Sequence, residues 1–166
     1  MADKIQGPPE INKYKTNCGV AIDTKKGRVG VGIIIRNSVG EVIACCSRRI
    51  DAFVNKNIAN LNAIHRGILF GIECGLTPGR IESDNHNVVS WIDQGKYRDS
   101  DFGTILADID AMREVENCFS IEVIHDQANK AALRLAKEVL GVEIDNYWME
   151  EFPYYIPCIV EEDMPG

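Results

Sequence analysis

The sequence predicts an α/β fold in which a mixed sheet is covered by helices. Three observations lead there. The first third of the chain carries apolar residues at period two, and the remainder alternates helical stripes with short strand-like runs. A length of 166 residues with 45% hydrophobic and 26% charged content suits one compact domain.

The stretch 1–13, with Gly7-Pro8-Pro9, reads as an extended lead-in. Tyr14 to Ile22 is strand-like, and Lys25-Lys26-Gly27 turns the chain. In the next strand, 29–36, Val29, Val31, Ile33 and Ile35 alternate on one face. Gly30 and Gly32 fall on the other face, where a neighbouring backbone can come close. Asn37-Ser38-Val39-Gly40 is a hairpin turn and 41–47 the returning strand.

The period then changes. Leu61, Ile64, His65, Ile68 and Ile72 recur at helical spacing, and Gly75 with Pro78 beyond it stops the helix. Arg80 to Ser83 is a short strand running into Asp84, and helices are expected over 85–94, closed by Gly95, and over 103–116. Phe119 to Ile124 is the fifth strand. Ala128 to Leu140 is the last helix, with a stripe of Ala128, Ala131, Ala132, Leu135, Ala136, Val139 and Leu140. The domain proper is thus 14–141, with five strands: three antiparallel, then two parallel. The tail 142–166 carries Trp148, Phe152, Tyr154 and Tyr155 among acidic residues and is expected to pack on that domain.

Totals narrow the function classes. Net charge is −7, from 18 basic against 25 acidic residues, which disfavours a general polyanion binder, although a basic face can coexist with an acidic body. No apolar run is long enough to span a bilayer, and Met1-Ala2-Asp3-Lys4 lacks a signal-peptide pattern. The six cysteines (18, 45, 46, 74, 118, 158) show no CxxC pairing, and Cys45 and Cys46 point to opposite faces if they lie on a strand. Free thiols in an intracellular, reducing compartment, cytoplasm or nucleus, are expected rather than a disulfide framework or a zinc site.

Six words in order carry a resemblance. They are Lys15-Thr-Asn-Cys-Gly-Val-Ala21, Gly30-Val-Gly-Ile-Ile-Ile-Arg-Asn-Ser38, Ala59-Asn-Leu-Asn-Ala63 with Gly67, Glu82-Ser-Asp84, Ala128-Asn-Lys-Ala-Ala-Leu-Arg-Leu-Ala-Lys137 and Trp148-Met-Glu-Glu-Phe-Pro153. From about Pro8 to Asp163 the chain resembles the RNase H-like domains of a plant, retroelement-derived family. That resemblance implies an RNase H-like fold and, for the family, cleavage of RNA in RNA–DNA hybrids by two Mg²⁺ ions roughly 4 Å apart. Ions that close need several carboxylates.

The family supplies those carboxylates from the first strand, the first helix, the end of the fourth strand and the last helix. Carried onto this chain, the first-strand Asp falls on Gly19, the helix Glu on Asn60 and the last-helix Asp on Leu133; Asp84 alone is an acid. The loop from His125 to Ala128 is also two residues shorter than the family's. Nearby acids do not substitute: Asp23 lies about 13 Å along the strand from Gly19, and Glu73 roughly 20 Å up the helix from Asn60. Asp126 sits in a loop before the last helix. Replacing Gly19 with Asp, Asn60 with Glu and Leu133 with Asp together is expected to create metal affinity.

Each candidate also has a plain structural reading. Asp84 is either a remaining, weak metal ligand or the N-cap of the helix starting at Asn85. Leu133 lies beside the apolar stripe and is expected to pack locally. His65, on an apolar face, reads as half-buried and structural, while a triad of Asp84, His86 and His125 is disfavoured because positions 84 and 86 do not face each other. Lys130, Arg134 and Lys137 form one helix edge, and Arg48 and Arg49 sit at a strand end; these are the nucleic-acid-binding candidates. With one carboxylate for two divalent ions, the first reading is a non-catalytic module that needs no cofactor and takes a protein or nucleic-acid partner. The alternative is a Mg²⁺-dependent ribonuclease H acting on RNA–DNA hybrid.

Overall fold

In a computed structural model, residues 13–52, 55–76, 78–116, 119–143, 145–149, 152, 153, 155 and 156 are described. The lead-in expected before Tyr14 lies almost wholly outside them. Strands β1 (Tyr14–Asp23), β2 (Arg28–Arg36) and β3 (Val42–Asp51) form an antiparallel meander. Strands β4 (Pro78–Ser83) and β5 (Ser120–Val123) add in parallel on the β1 side. The sheet order is β5-β4-β1-β2-β3-β6. Its sixth strand, β6 (Asn146–Met149), pairs antiparallel with β3 and was not expected from the sequence. Tyr147 and Trp148 suit a strand, but a run of four residues is too short to state a period; the edge of β3 and the packing of Trp148 on the smaller apolar cluster, which holds Ile34 and Cys45, supply the stabilisation.

Helices α1 (Lys56–Glu73), α2 (His86–Asp93) and α3 (Gly103–Glu116) cover one face, and α4 (Lys130–Val139) covers the other. Alternation along β2 decides what each face offers. Val29, Val31, Ile33 and Ile35 enter the larger core with Leu61, Ile64 and Ile68 of α1. Ile34 joins Cys45, Ala131, Leu135 and Ile156 in the smaller core beneath α4. Cys45 and Cys46 accordingly fall in different cores.

Glycine ends α1 and α2 in the same way. Gly75 (φ 72°) donates to the Ile72 carbonyl and Leu76 to that of Gly71. Gly95 (φ 66°) donates to Ile92 and Lys96 to Trp91. Both are Schellman motifs, in which a left-handed glycine satisfies the last carbonyls of a helix.

The glycines expected to admit a backbone do so. A Cβ built on Gly30 would lie 1.8 Å from the Ala136 carbonyl oxygen, and one on Gly32 2.1 Å from that of Ala132. The α4 backbone therefore rests on bare sheet, with alanines as its own contact surface. That close seat governs the site.

Candidate functional site

Strand β1 points Asn17 and Gly19 toward α4, while Thr16 and Cys18 point to α1, where they meet Gly67. Gly19 is buried, and a Cβ built on it would lie 2.8 Å from both the Ala132 carbonyl carbon and the Leu133 nitrogen. The space a carboxylate would need is thus filled by helix backbone, which cannot swing aside as a side chain can. An Asp at position 19 would require α4 to shift before its carboxylate could face a cation. Leu133 is half-buried on α4.

Asp84 follows the last residue of β4 and is half-buried. It is not the N-cap of α2, contrary to the structural reading of the sequence. Asn85 takes that role: its side chain accepts from the Val88 amide at 2.9 Å and donates to Asn57 Oδ1 at 3.0 Å, pinning α1 to the corner. Asn85→Ala is expected to lower stability by about 1 kcal/mol in thermal melts, as for other lost caps.

Burial pushes the Asp84 carboxyl above its ordinary value, opposed by a hydrogen bond with Asn129 and by the Lys56 charge; Asp126 pushes it further up. Asp126 opens a 3₁₀ helix (Asp126–Asn129) that swings its charge toward Asp84, a proximity the sequence did not disclose. A carboxyl whose folded pKa is raised lowers stability as pH climbs from the ordinary 3.8 to the folded value, and the loss persists above it. Asp84→Asn is therefore expected to raise the thermal midpoint at neutral pH, with the gain shrinking as pH falls toward 3.8.

Asn60 is buried at the start of α1, with its amide donating to the Lys56 carbonyl at 2.9 Å. Its Oδ1 has no hydrogen-bond donor among the described residues. It brings an oxygen but no charge.

Next to these positions lies a polar network that sequence reasoning missed. Asn17 donates to Glu82 Oε1 (3.1 Å) and Asn129 Oδ1 (3.2 Å), and Asn129 donates to the Cys18 carbonyl (2.8 Å). Lys15 Nζ stands 3.8 Å from Glu82 Oε1 and Arg80 Nη1 3.8 Å from Oε2, while Arg80 also pairs with Glu122. Glu82 is 1% exposed, and burial pushes its carboxyl up despite these partners. Its signal was present: Lys15 and Asn17 are polar residues that share the alternation of Gly19 on β1, the face turned to α4. The network fastens β1, β4 and the start of α4 together, so its acid is committed to structure.

The remaining candidates are dispersed. His86 and His125 are exposed, and no three His, Cys, Asp or Glu residues among those described converge as a metal site. His65 is half-buried with Nε2 3.7 Å from Asp108, and burial lowers its pKa. Arg48 pairs with Asp145, and Arg49 donates to the Val142 carbonyl at 2.6 Å and pairs with Asp51, so both arginines bind the chain around β6. Lys130 and Lys137 are exposed on α4, and between them Arg134 pairs with Glu138 at 2.6 Å and lies over the Tyr155 ring. Cys18, Cys45, Cys46 and Cys74 are free. Burial pushes the Cys45 and Cys46 thiols to about 12 and about 11, far from nucleophilic.

A mixed sheet in this order, three helices on one face and one on the other, defines an RNase H-like domain. The chain belongs to the reverse transcriptase-like family, whose model matches residues 17–139. No curated protein matches it. RNase H1 of the archaeon Halobacterium salinarum superposes with TM-score 0.70 at 18% identity, covering 77% of this chain and 97% of that one. The N-terminal RNase H domain of a Mycobacterium tuberculosis protein gives 0.69 at 18%, covering 77% and 93%. LC11-RNase H1, solved in complex with an RNA/DNA hybrid, gives 0.67 at 18%, covering 76% and 95%. At such identities the likeness is one of fold.

The residues present do not fit a pair of divalent cations. Four positive charges would face Asp84 and Asp126, with the Lys56 ammonium already acting on Asp84 and a helix backbone in place of the β1 ligand. Among the described residues no helix is long and apolar enough to cross a membrane.

Proposed function

We propose that this chain is a catalytically degenerate RNase H-like domain, a non-catalytic module that takes its partner on the face of the former cleft. The observation that carries this reading is Gly19 beneath α4: the first-strand ligand is absent, and its space is occupied by the Ala132–Leu133 peptide. Asn60 and Leu133 at two further ligand positions support it, and Asp84 and Asp126 form too small an anionic set for two-metal chemistry.

The partner is a protein or a nucleic acid. Likeness to a ribonuclease solved on an RNA/DNA hybrid supports the second, with Lys130 and Lys137 as exposed cations on α4. The net charge of −7 supports the first. Origin in the plant, retroelement-derived branch is proposed from the six sequence words, and an intracellular, reducing compartment from the buried free thiols.

Labelled RNA–DNA hybrid tests the reading in two arms. With Mg²⁺ or Mn²⁺ we expect no cleavage that disappears on Asp84→Asn, and observing such cleavage sinks the proposal. Without metal, a steep log–log dependence of binding on salt that flattens on Lys130→Ala with Lys137→Ala assigns the partner as nucleic acid; no binding at low salt assigns a protein.

A further inference from the structure

We propose that the loop between α2 and α3 is a docking site for an arginine-rich protein segment, with the Tyr97 ring as its platform. This goes beyond the cleft reading and stands whether or not that reading holds.

Tyr97 is 52% exposed, yet it is no loose side chain. Its ring packs edge-on against Trp91, with centroids 5.0 Å apart, and tilted against Phe102 at 6.0 Å; Trp91 and Phe102 stack at 5.3 Å. Trp91 and Phe102 are rooted in the main core, so one face of a three-ring cluster is anchored and the third ring is presented to solvent.

The loop backbone is fixed from several sides. The Arg98 guanidinium donates to the carbonyls of Trp91 (2.7 Å), Ile92 (3.2 Å) and Lys96 (2.9 Å) and makes two bonds to Asp110. Gly103 allows the Arg98 carbonyl to approach where any Cβ would stand 2.0 Å from its oxygen. Tyr97 itself is the one non-glycine residue with positive φ (63°) among those described. A rigid, displayed aromatic ring loses little freedom on binding, which is what an interface anchor requires.

Charge selects the occupant. Arg98 is spent on Asp110, and Asp93 on Arg113. That leaves Lys96, Asp99 and Asp101, all exposed and without an ion pair among the described residues. Exposed carboxylates outnumber the ammonium in the loop that displays this ring, a balance that repels phosphate and attracts a cation. Arg suits it better than Lys, because a planar guanidinium can lie on the tyrosine face while its edge donates to a carboxylate.

Fluorescence anisotropy of a labelled Gly-Arg repeat peptide on the full chain tests this, with Gly-Lys and Gly-Glu repeats and an RNA–DNA hybrid as competitors. We expect saturable binding below millimolar, weaker competition by Gly-Lys, and none by Gly-Glu or the hybrid. Tyr97→Gly is expected to weaken binding about tenfold, and the double variant Asp99→Asn with Asp101→Asn by a similar factor. Glycine relaxes the positive φ, so an unchanged or raised melting midpoint will show that the lost affinity is not unfolding. Absence of saturable binding overturns the proposal. So does binding that these substitutions leave unaltered, which would be diffuse attraction to an acidic protein, and so does hybrid competing better than Gly-Arg.

Discussion

Gly30→Ala is expected to destabilise the protein by about 3 kcal/mol, roughly 10 °C in thermal midpoint, because the added methyl meets a carbonyl rather than a side chain. The built Cβ lies 1.8 Å from Ala136 O, 2.8 Å from Ala136 C and 3.0 Å from Val139 Cγ1. Relief requires α4 to lift, which also loosens Leu135 and Ala131 from Ile34 and Cys45. Gly141→Ala is the control: its Cβ would find nothing closer than 3.9 Å, so the change should stay within about 0.5 kcal/mol. Equal melting of the two variants would mean that α4 does not sit on the glycine face.

Gly19→Asp should be comparably damaging and should gain nothing from metal. Its Cβ would press on the Ala132 and Leu133 backbone at 2.8 Å, and its charge would sit at a buried position of β1. We expect a loss of about 3 kcal/mol, with Gly19→Ala losing about 2, the difference being desolvation of the charge. Melting both variants with and without Mn²⁺ reads the answer. A saturable rise in the midpoint of Gly19→Asp alone would show that the β1 position still opens to a cation.

The framework was legible because its signals are local. Val29, Val31, Ile33 and Ile35 state the strand period, and Gly75 and Gly95 mark helix ends through a backbone angle that glycine adopts freely. That Gly19, Asn60 and Leu133 carry no carboxylate is plain in the sequence whatever the fold does.

What escaped depends on distances between segments far apart in sequence. Asp126 was set aside as a loop residue, yet the parallel placement of β5 beside β4 carries it toward Asp84. Asn85 outcompeted Asp84 as cap, a one-residue shift that local propensity does not resolve, since both residue types cap well. Strand β6 was hidden because the edge of β3, not its own composition, creates it. The filled space above Gly19 follows from three glycines meeting two alanines across the sheet, which no single segment records.

Mn²⁺ titration of the native chain, with binding counted from paramagnetic broadening of amide signals around Asp84, decides whether this fold holds a dimetal site. No saturable broadening is expected there below millimolar Mn²⁺, as one carboxylate at the four ligand positions requires. Two ions bound per chain, both lost on Asp84→Asn, would contradict it.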